Sequence, residues 1–195
     1  MIKLQDVSYY YSGAACPAID SVSLTIEQGE FIAVMGRNAS GKSTLARLLN
    51  GLLTPRMGQV TVDGLDTRDR NAVKSIRKKV GLLFPDPDDQ IISNLVEEDV
   101  AFGPENIGLS SQQIRYRVDT ALAKVSMEDF AKYPPYLLSG GQKQRVCIAG
   151  ILAVQPQYMV LDEPAAMLDP HGRKQVMETL CKLNREEGMA LVWLT

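Results

Sequence analysis

Gly36-Arg37-Asn38-Ala39-Ser40-Gly41-Lys42-Ser43-Thr44 is the stretch from which the rest of the chain is read. It has the form G-x-x-x-x-G-K-S/T, a phosphate-binding loop. Phe31-Ile32-Ala33-Val34-Met35 precedes it, apolar and short, as a buried parallel strand is. Lys42 to Leu52 follows, with Leu45, Leu48, Leu49 and Leu52 at helical spacing. Strand, glycine loop and helix together aim backbone N–H groups at an anion. In that setting Lys42 reaches the terminal phosphates and the Ser43 hydroxyl is a ligand for Mg²⁺, with Thr44 in support. The plainer alternative is a glycine turn between a strand and a helix.

The composition sets wide bounds. The chain has 195 residues, of which 45% are hydrophobic and 23% charged, which suits a globular domain with a real core. A formal net charge of −2 lacks the basic footprint of a nucleic-acid binder. Cys16, Cys147 and Cys181 are few, odd in number and without metal-ligand spacing, so a reduced compartment is expected. No signal peptide is legible at Met1-Ile2-Lys3-Leu4, and no apolar run reaches the length of a membrane span. A soluble or peripheral protein is expected, with any membrane attachment made through a partner.

Outward from the loop, Ile2–Tyr11 and Ile19–Ile26 read as strands, with Ser12-Gly13 breaking the first. Among Tyr9, Tyr10 and Tyr11, one could stack on a nucleobase; the alternative is tyrosines on a sheet surface. Gln59–Val62 and Lys79–Phe84 are further strands. Pro85-Asp86-Pro87-Asp88-Asp89-Gln90 then breaks regular structure, as either a functional loop or a solvated turn. Glu97–Asn106 and Ser110–Val125 read as helices; Ser110 is a cap, and Ser111, Gln112, Arg115 and Arg117 form a solvated face. Ser139-Gly140-Gly141-Gln142-Lys143-Gln144-Arg145 opens another helix, which is a second anion site or simply a serine-capped start. Tyr158–Glu163 is an apolar strand ending in two carboxylates. Asp162 is placed to hold Mg²⁺ and Glu163 to polarise water. A helix from about Gly172 to Glu187 and a strand from Met189 to Thr195 finish the chain, and His171 is given no role.

The phosphate loop, Leu138–Arg145 and the Asp162-Glu163 strand end, in this order, resemble the ATP-binding subunits of ABC transporters. The resemblance covers essentially the whole chain. It implies an α/β fold of the P-loop NTPase, ABC-type ATPase class, with a mainly parallel sheet, an N-terminal antiparallel β subdomain and an inserted α-helical subdomain. The implied division is a core of residues 1–90 and 155–195 and a helical subdomain of about 91–154. ATP and Mg²⁺ are the implied ligands. Tyr11 is the implied adenine-stacking aromatic, and Gly36 to Thr44 the nucleotide-binding residues. Ser43 and Asp162 are the implied metal ligands and Glu163 the catalytic residue. Ser139, Gly140, Gly141 and Gln142 are implied to contact ATP held by a second subunit, and Met167-Leu168-Asp169 resembles the D-loop.

A narrower likeness rests on Asp86-Pro87-Asp88-Asp89-Gln90, Val96–Pro104 and Ala166-Met167-Leu168-Asp169-Pro170. These resemble the energy-coupling factor branch, importers of vitamins or cobalt and nickel. That branch implies a second, identical or related ATPase subunit, an integral-membrane coupling subunit and a substrate-binding membrane subunit, with no nucleic acid. It implies a peripheral position on the cytoplasmic face of the cell membrane, with Pro85–Gly103 receiving a helix of the membrane partner. The chain departs from the pattern in three places. Pro85 stands where the family has Gln, and Ala39 where Gly is common. The chain also ends at Thr195, where a switch histidine would follow, so the expectation is a C-terminal truncation. Two other readings stay open: a non-hydrolysing nucleotide-binding subunit, and a soluble ABC ATPase acting on nucleic acid or ribosomes.

Overall fold

The computed structural model describes residues 1–166 and 168–195. Strand β1 (Ile2–Tyr9) pairs antiparallel with β2 (Ile19–Ile26) and with β4 (Met57–Val62). β4 turns through Asp63-Gly64 into β5 (Leu65–Asp66), giving a four-stranded sheet in the order β2-β1-β4-β5. Ile2, Leu4, Val7, Ile26, Val60 and Val62 supply its buried face. The alternation of apolar and polar residues in β1 and β4 is what a half-buried sheet requires.

A second four-stranded sheet has the order β3-β8-β7-β6, from β3 (Phe31–Val34), β8 (Ala190–Leu194), β7 (Tyr158–Asp162) and β6 (Val80–Leu83). β7 and β8 run parallel, and all ten of their residues are buried. Their unbroken apolar runs fit strands covered on both faces. β3 corrects an expectation. It stands at the outer position of this order, and Phe31 and Ala33 are exposed, so its apolar run is not matched by full burial.

Helix α1 (Lys42–Leu49) packs against β7 and buries Leu45, Ala46, Leu48 and Leu49. Leu52, expected on this helix, lies beyond it and is exposed, because Gly51 at φ +70° has already ended the turn. The remaining helices are α2 (Val73–Lys79), α3 (Val96–Asn106), α4 (Ser111–Lys124), α5 (Gly140–Ala153) and α6 (Pro170–Glu187). Ser110 and Ser139 begin α4 and α5 with full capping boxes, using Gln113 and Gln142.

The chain divides into two compact units. One comprises residues Met1–Leu82, Gln157–Asp162 and Asn184–Thr195; the other Leu83–Pro156 and Glu163–Leu183. Within the second, Arg117 is not solvated as expected. Its guanidinium donates to the carbonyls of Ala153 (3.1 Å) and Val154 (3.2 Å) at the end of α5. Helix ends leave such carbonyls without intrahelical partners, so a half-buried cation is drawn to them.

Candidate nucleotide site

The first unit carries the phosphate loop. Residues 36–40 are exposed, and the loop is shaped by its two glycines. A Cβ on Gly36 would lie 2.6 Å from Ser40 Oγ. Gly41 has φ +97°, and a Cβ there would lie 2.2 Å from the Ala18 carbonyl oxygen, so only glycine fits. The Gly36 N–H donates to Thr195 O (3.0 Å) and the Ser40 N–H to Arg37 O (3.1 Å), which fix the loop's two ends. Lys42 is buried and folds back over the loop, its Nζ donating to the carbonyls of Gly36 (2.8 Å) and Arg37 (3.2 Å). Its ammonium is thus held against the carbonyls of an exposed loop. Among the described residues no side chain caps the start of α1, so its first amides face outward.

Ser43 is exposed on the first turn of α1. Asp162, 3% exposed, ends β7 and is held in register opposite Leu194 of β8. A hydroxyl and a carboxylate are hard oxygen donors, which suit Mg²⁺. Among the described residues no group of three or more His, Cys, Asp or Glu gathers into a metal site. Thr44 is buried, and its Oγ1 shares a 3.1 Å hydrogen bond with the hydroxyl of Tyr11. Tyr11 meets Tyr9 edge to face, with centroids 5.1 Å apart, and keeps 42% of its surface open.

The second unit carries the other predicted residues. Ser139 Oγ accepts the Gln142 N–H (3.3 Å), and Gln142 Oε1 accepts the Ser139 N–H (2.8 Å). The Gln142 side-chain oxygen is therefore engaged in starting α5. Gly141 and Gly172 approach so closely that a Cβ on Gly141 would lie 3.2 Å from Gly172 Cα. Gly140 is different: among the described residues a Cβ there meets Leu168 Cδ2 at 3.7 Å, an ordinary contact. Asp169 starts α6, its Oδ1 accepting the Gly172 N–H at 2.8 Å, with Pro170 in the first helical position. Met167 lies outside the described residues. Glu163 is half-buried and has φ +47°, a left-handed backbone uncommon for a residue with a side chain.

The Pro85 loop has a structure that its residues alone did not announce. Pro87–Asp89 form a 3₁₀ turn, started by Asp86 Oδ1 accepting the Asp88 N–H. Gln90 Oε1 accepts the Phe84 N–H (3.0 Å), bridging the loop across Pro85. One face of α5 grips the same loop. Lys143 Nζ bonds Asp88 Oδ1 (2.6 Å), Gln144 Nε2 donates to Phe84 O (3.4 Å), and Cys147 lies under Pro87 O. Burial pushes the Cys147 thiol far up, so it stays protonated. Lys143 and Gln144 lie in the Leu138–Arg145 motif, but neither they nor Cys147 carried a signal for contact with the Pro85 loop. Cys147 stands four residues after Lys143 and three after Gln144, so it neighbours both on the helix surface, and this was the available clue.

The ABC transporter family profile matches residues 19–166. An energy-coupling factor transporter ATP-binding protein, EcfA, of Syntrophomonas wolfei is 52% identical over 195 residues, covering 100% of this chain and 71% of that protein. This chain belongs to the ABC transporter ATPases, in their energy-coupling factor branch. The EcfA1 protein of Symbiobacterium thermophilum is 55% identical, covering 100% of this chain and 70% of that protein. Among solved structures, cbiO1 from Clostridium perfringens, part of the ABC transporter complex cbiONQ, superposes with a TM-score of 0.90 at 37% identity, covering 100% of this chain and 77% of that one. The dimeric post-hydrolysis cassette MJ0796, bound to ADP and Pi, gives 0.87 at 34% identity, with 100% and 88% covered. The ABC ATPase thus has the expected fold and is the ATP-hydrolysing subunit of an energy-coupling factor transporter. Among its described residues no helix is long and apolar enough to cross a membrane.

Proposed function

We propose that this ATPase binds Mg²⁺–ATP on its phosphate loop and hydrolyses it in a dimer, driving import of a vitamin or transition-metal ion. The observation that carries the reading is Lys42 folded over an open loop whose Gly41 tolerates no side chain. The amides of 36–44 and the Lys42 ammonium take the β- and γ-phosphates, and Tyr11 offers its exposed face to adenine. Mg²⁺, when bound by Ser43 and Asp162, supplies charge neutralisation at the phosphate oxygens. Glu163 orients a water for in-line attack on the γ-phosphorus; the P–O bond to ADP breaks and the water's proton leaves toward the carboxylate. Pro85 supplies no side chain to that water, which places more of its positioning on Glu163.

The signature residues serve a second subunit, identical or related. Ser139 and Gly140 are exposed at the start of α5, and no contact with the described residues of their own chain requires Gly140 to be glycine. A neighbour's γ-phosphate is the anion that such a helix start would take. The second unit also supports docking of a membrane coupling subunit, which would carry the substrate-binding subunit and hold the ATPase at the cytoplasmic face. A cleft of about 540 Å³ between α3 and α4 is lined by Glu97, Glu98, Glu105 and the exposed Phe102, with Arg115 paired to Glu97 (3.0 Å), so Glu98 and Glu105 are the carboxylates offered to a basic, partly apolar helix.

The test is ATP-dependent dimerisation. Glu163→Gln with Mg²⁺–ATP is expected to run as a dimer on size exclusion and to lose turnover about a hundredfold or more. Adding Gly140→Asp is expected to return it to monomer with an unchanged circular dichroism spectrum. A dimer that persists with Gly140→Asp would overturn the trans role of the signature.

A further inference from the structure

Lys143 stands one turn inside α5 and is tied at both ends, by bonds that all lie in the second unit. Its backbone N–H donates to Ser139 O (2.9 Å), the first hydrogen bond of the helix. Its ammonium donates to Asp88 Oδ1 (2.6 Å) on the Pro85 loop, with 18% of the side chain exposed. The turn from Ser139 to Lys143 needs outside support. Gly140 and Gly141 are its first two helical residues, and glycine is a poor helix former. It carries no acidic side chain of its own, so an ammonium there works against the helix dipole. Asp88 supplies the opposing charge. The loop that carries Asp88 is stiff. Pro85 and Pro87 each fix a backbone torsion, Asp86 Oδ1 accepts the Asp88 N–H (2.9 Å), and Gln90 Oε1 accepts the Phe84 N–H (3.0 Å). Gln144, the next residue of α5, donates to Phe84 O (3.4 Å), so helix and loop meet at more than one point.

We propose that Lys143 is a positioning residue for the ATP-dependent pairing of subunits: through Asp88 it seats the first turn of α5 on the Pro85 loop and so fixes where Ser139 and Gly140 present their amides. This rests on Ser139 and Gly140 contacting a neighbour's γ-phosphate. Amides hold an anion only over hydrogen-bond distances, so a first turn free to fray spends part of the binding energy on being ordered. Holding Lys143 removes that freedom before the neighbour arrives. The ammonium is engaged by Asp88 in its own chain and acts through the helix start, not on phosphate. The phosphate loop lies in the first unit, so ATP binding to a lone subunit does not draw on the pair.

The experiment measures the dimer dissociation constant of the full chain, carrying Glu163→Gln, by sedimentation with Mg²⁺–ATP. Lys143→Met and Asp88→Ala are each expected to weaken the dimer about five- to thirtyfold, because a dimer contains the contact twice and each copy is on the scale of one partly exposed charged hydrogen bond. The double variant is expected to be no weaker than either single one, since both remove the same bond. Lys143→Arg, which keeps a cation in reach of Asp88, is expected to retain the dimer. ATP affinity of the monomer, titrated by calorimetry in a Gly140→Asp background, is expected to match the parent in all four. If Lys143→Met weakens the dimer while Asp88→Ala tightens it or leaves it unchanged, the lysine acts on phosphate directly and the positioning role is wrong. If monomer affinity for ATP falls alongside the dimer, the change is not confined to the helix start and the proposal fails. If Gly140→Asp still dimerises, the trans reading of the signature is itself wrong, whatever Lys143 does.

Discussion

Ala39 stands in the phosphate loop at φ +64°, a conformation that costs a side-chain-bearing residue about 1–2 kcal/mol and glycine almost nothing. Part of that strain is offset because glycine loses more freedom on folding. Ala39→Gly is therefore expected to stabilise the protein by roughly 0.5–1 kcal/mol, a rise in Tm of about 1–4 °C for a chain of this size, read by scanning calorimetry. A fall in Tm would show that the loop does not carry the strain. Asp63 gives a second residue-level outcome. Burial raises its pKa, but hydrogen bonds from Lys79, the Met1 amine and Tyr158 outweigh this and bring it down to about 2. A folded-state pKa below the ordinary carboxylate value stabilises the fold above about pH 4, and that contribution fades as pH falls toward 2. With partial exposure, its size is on the order of 1–2 kcal/mol. Asp63→Asn, whose residue type tolerates the φ of +48° at this site, is expected to show that deficit in urea unfolding at pH 6, shrinking between pH 4 and 2. A deficit independent of pH would mean that packing, not charge, is lost.

At the scale of elements, two arginines hold the helical unit reciprocally. Arg117 of α4 caps the end of α5, while Arg145 of α5 donates to Val125 O (3.1 Å) and Ser126 O (3.4 Å) beyond the end of α4. Arg117→Met and Arg145→Met keep much of the stem but remove these bonds. Each is expected to cost roughly 1.5–3 kcal/mol in urea unfolding, the scale for hydrogen bonds from charged groups. A change within about 0.5 kcal/mol would show that water replaces the guanidinium at no loss. Neither role was legible from sequence, because a charged residue off the apolar stripe of a helix reads as solvated whether or not another helix end lies beside it. The phosphate loop was legible because its glycine spacing is a statement about backbone, and so was the start of α5, where Ser139 and Gln142 spell out their capping box. β5 and α2 escaped notice for the opposite reason. α2 has one buried residue, Ile76, so it offers no apolar period to detect. Leu52 misled in the other direction, since helical spacing continued for one leucine past the glycine that ends the helix. The Tyr11–Thr44 bond and the Gln90 bridge across Pro85 depend on tertiary approach and left no local trace.

At the scale of the whole molecule, the residues proposed for one reaction are divided between the two compact units. Tyr11, the phosphate loop and Asp162 belong to the first; the Pro85 loop, Ser139–Gln142, Glu163 and Asp169 belong to the second. The chain leaves one unit at Asp162 and enters the other at Glu163, through the left-handed backbone of Glu163 itself. Two neighbouring carboxylates thus fall in different compact units. Proteins open regionally as well as globally. Were the second unit to loosen by itself, Glu163 would be released while Asp162 kept its place in the ladder with β8. A titration of bound nucleotide would then follow the first unit alone, whereas phosphate release would need both, so a variant that binds without turning over points to the second unit.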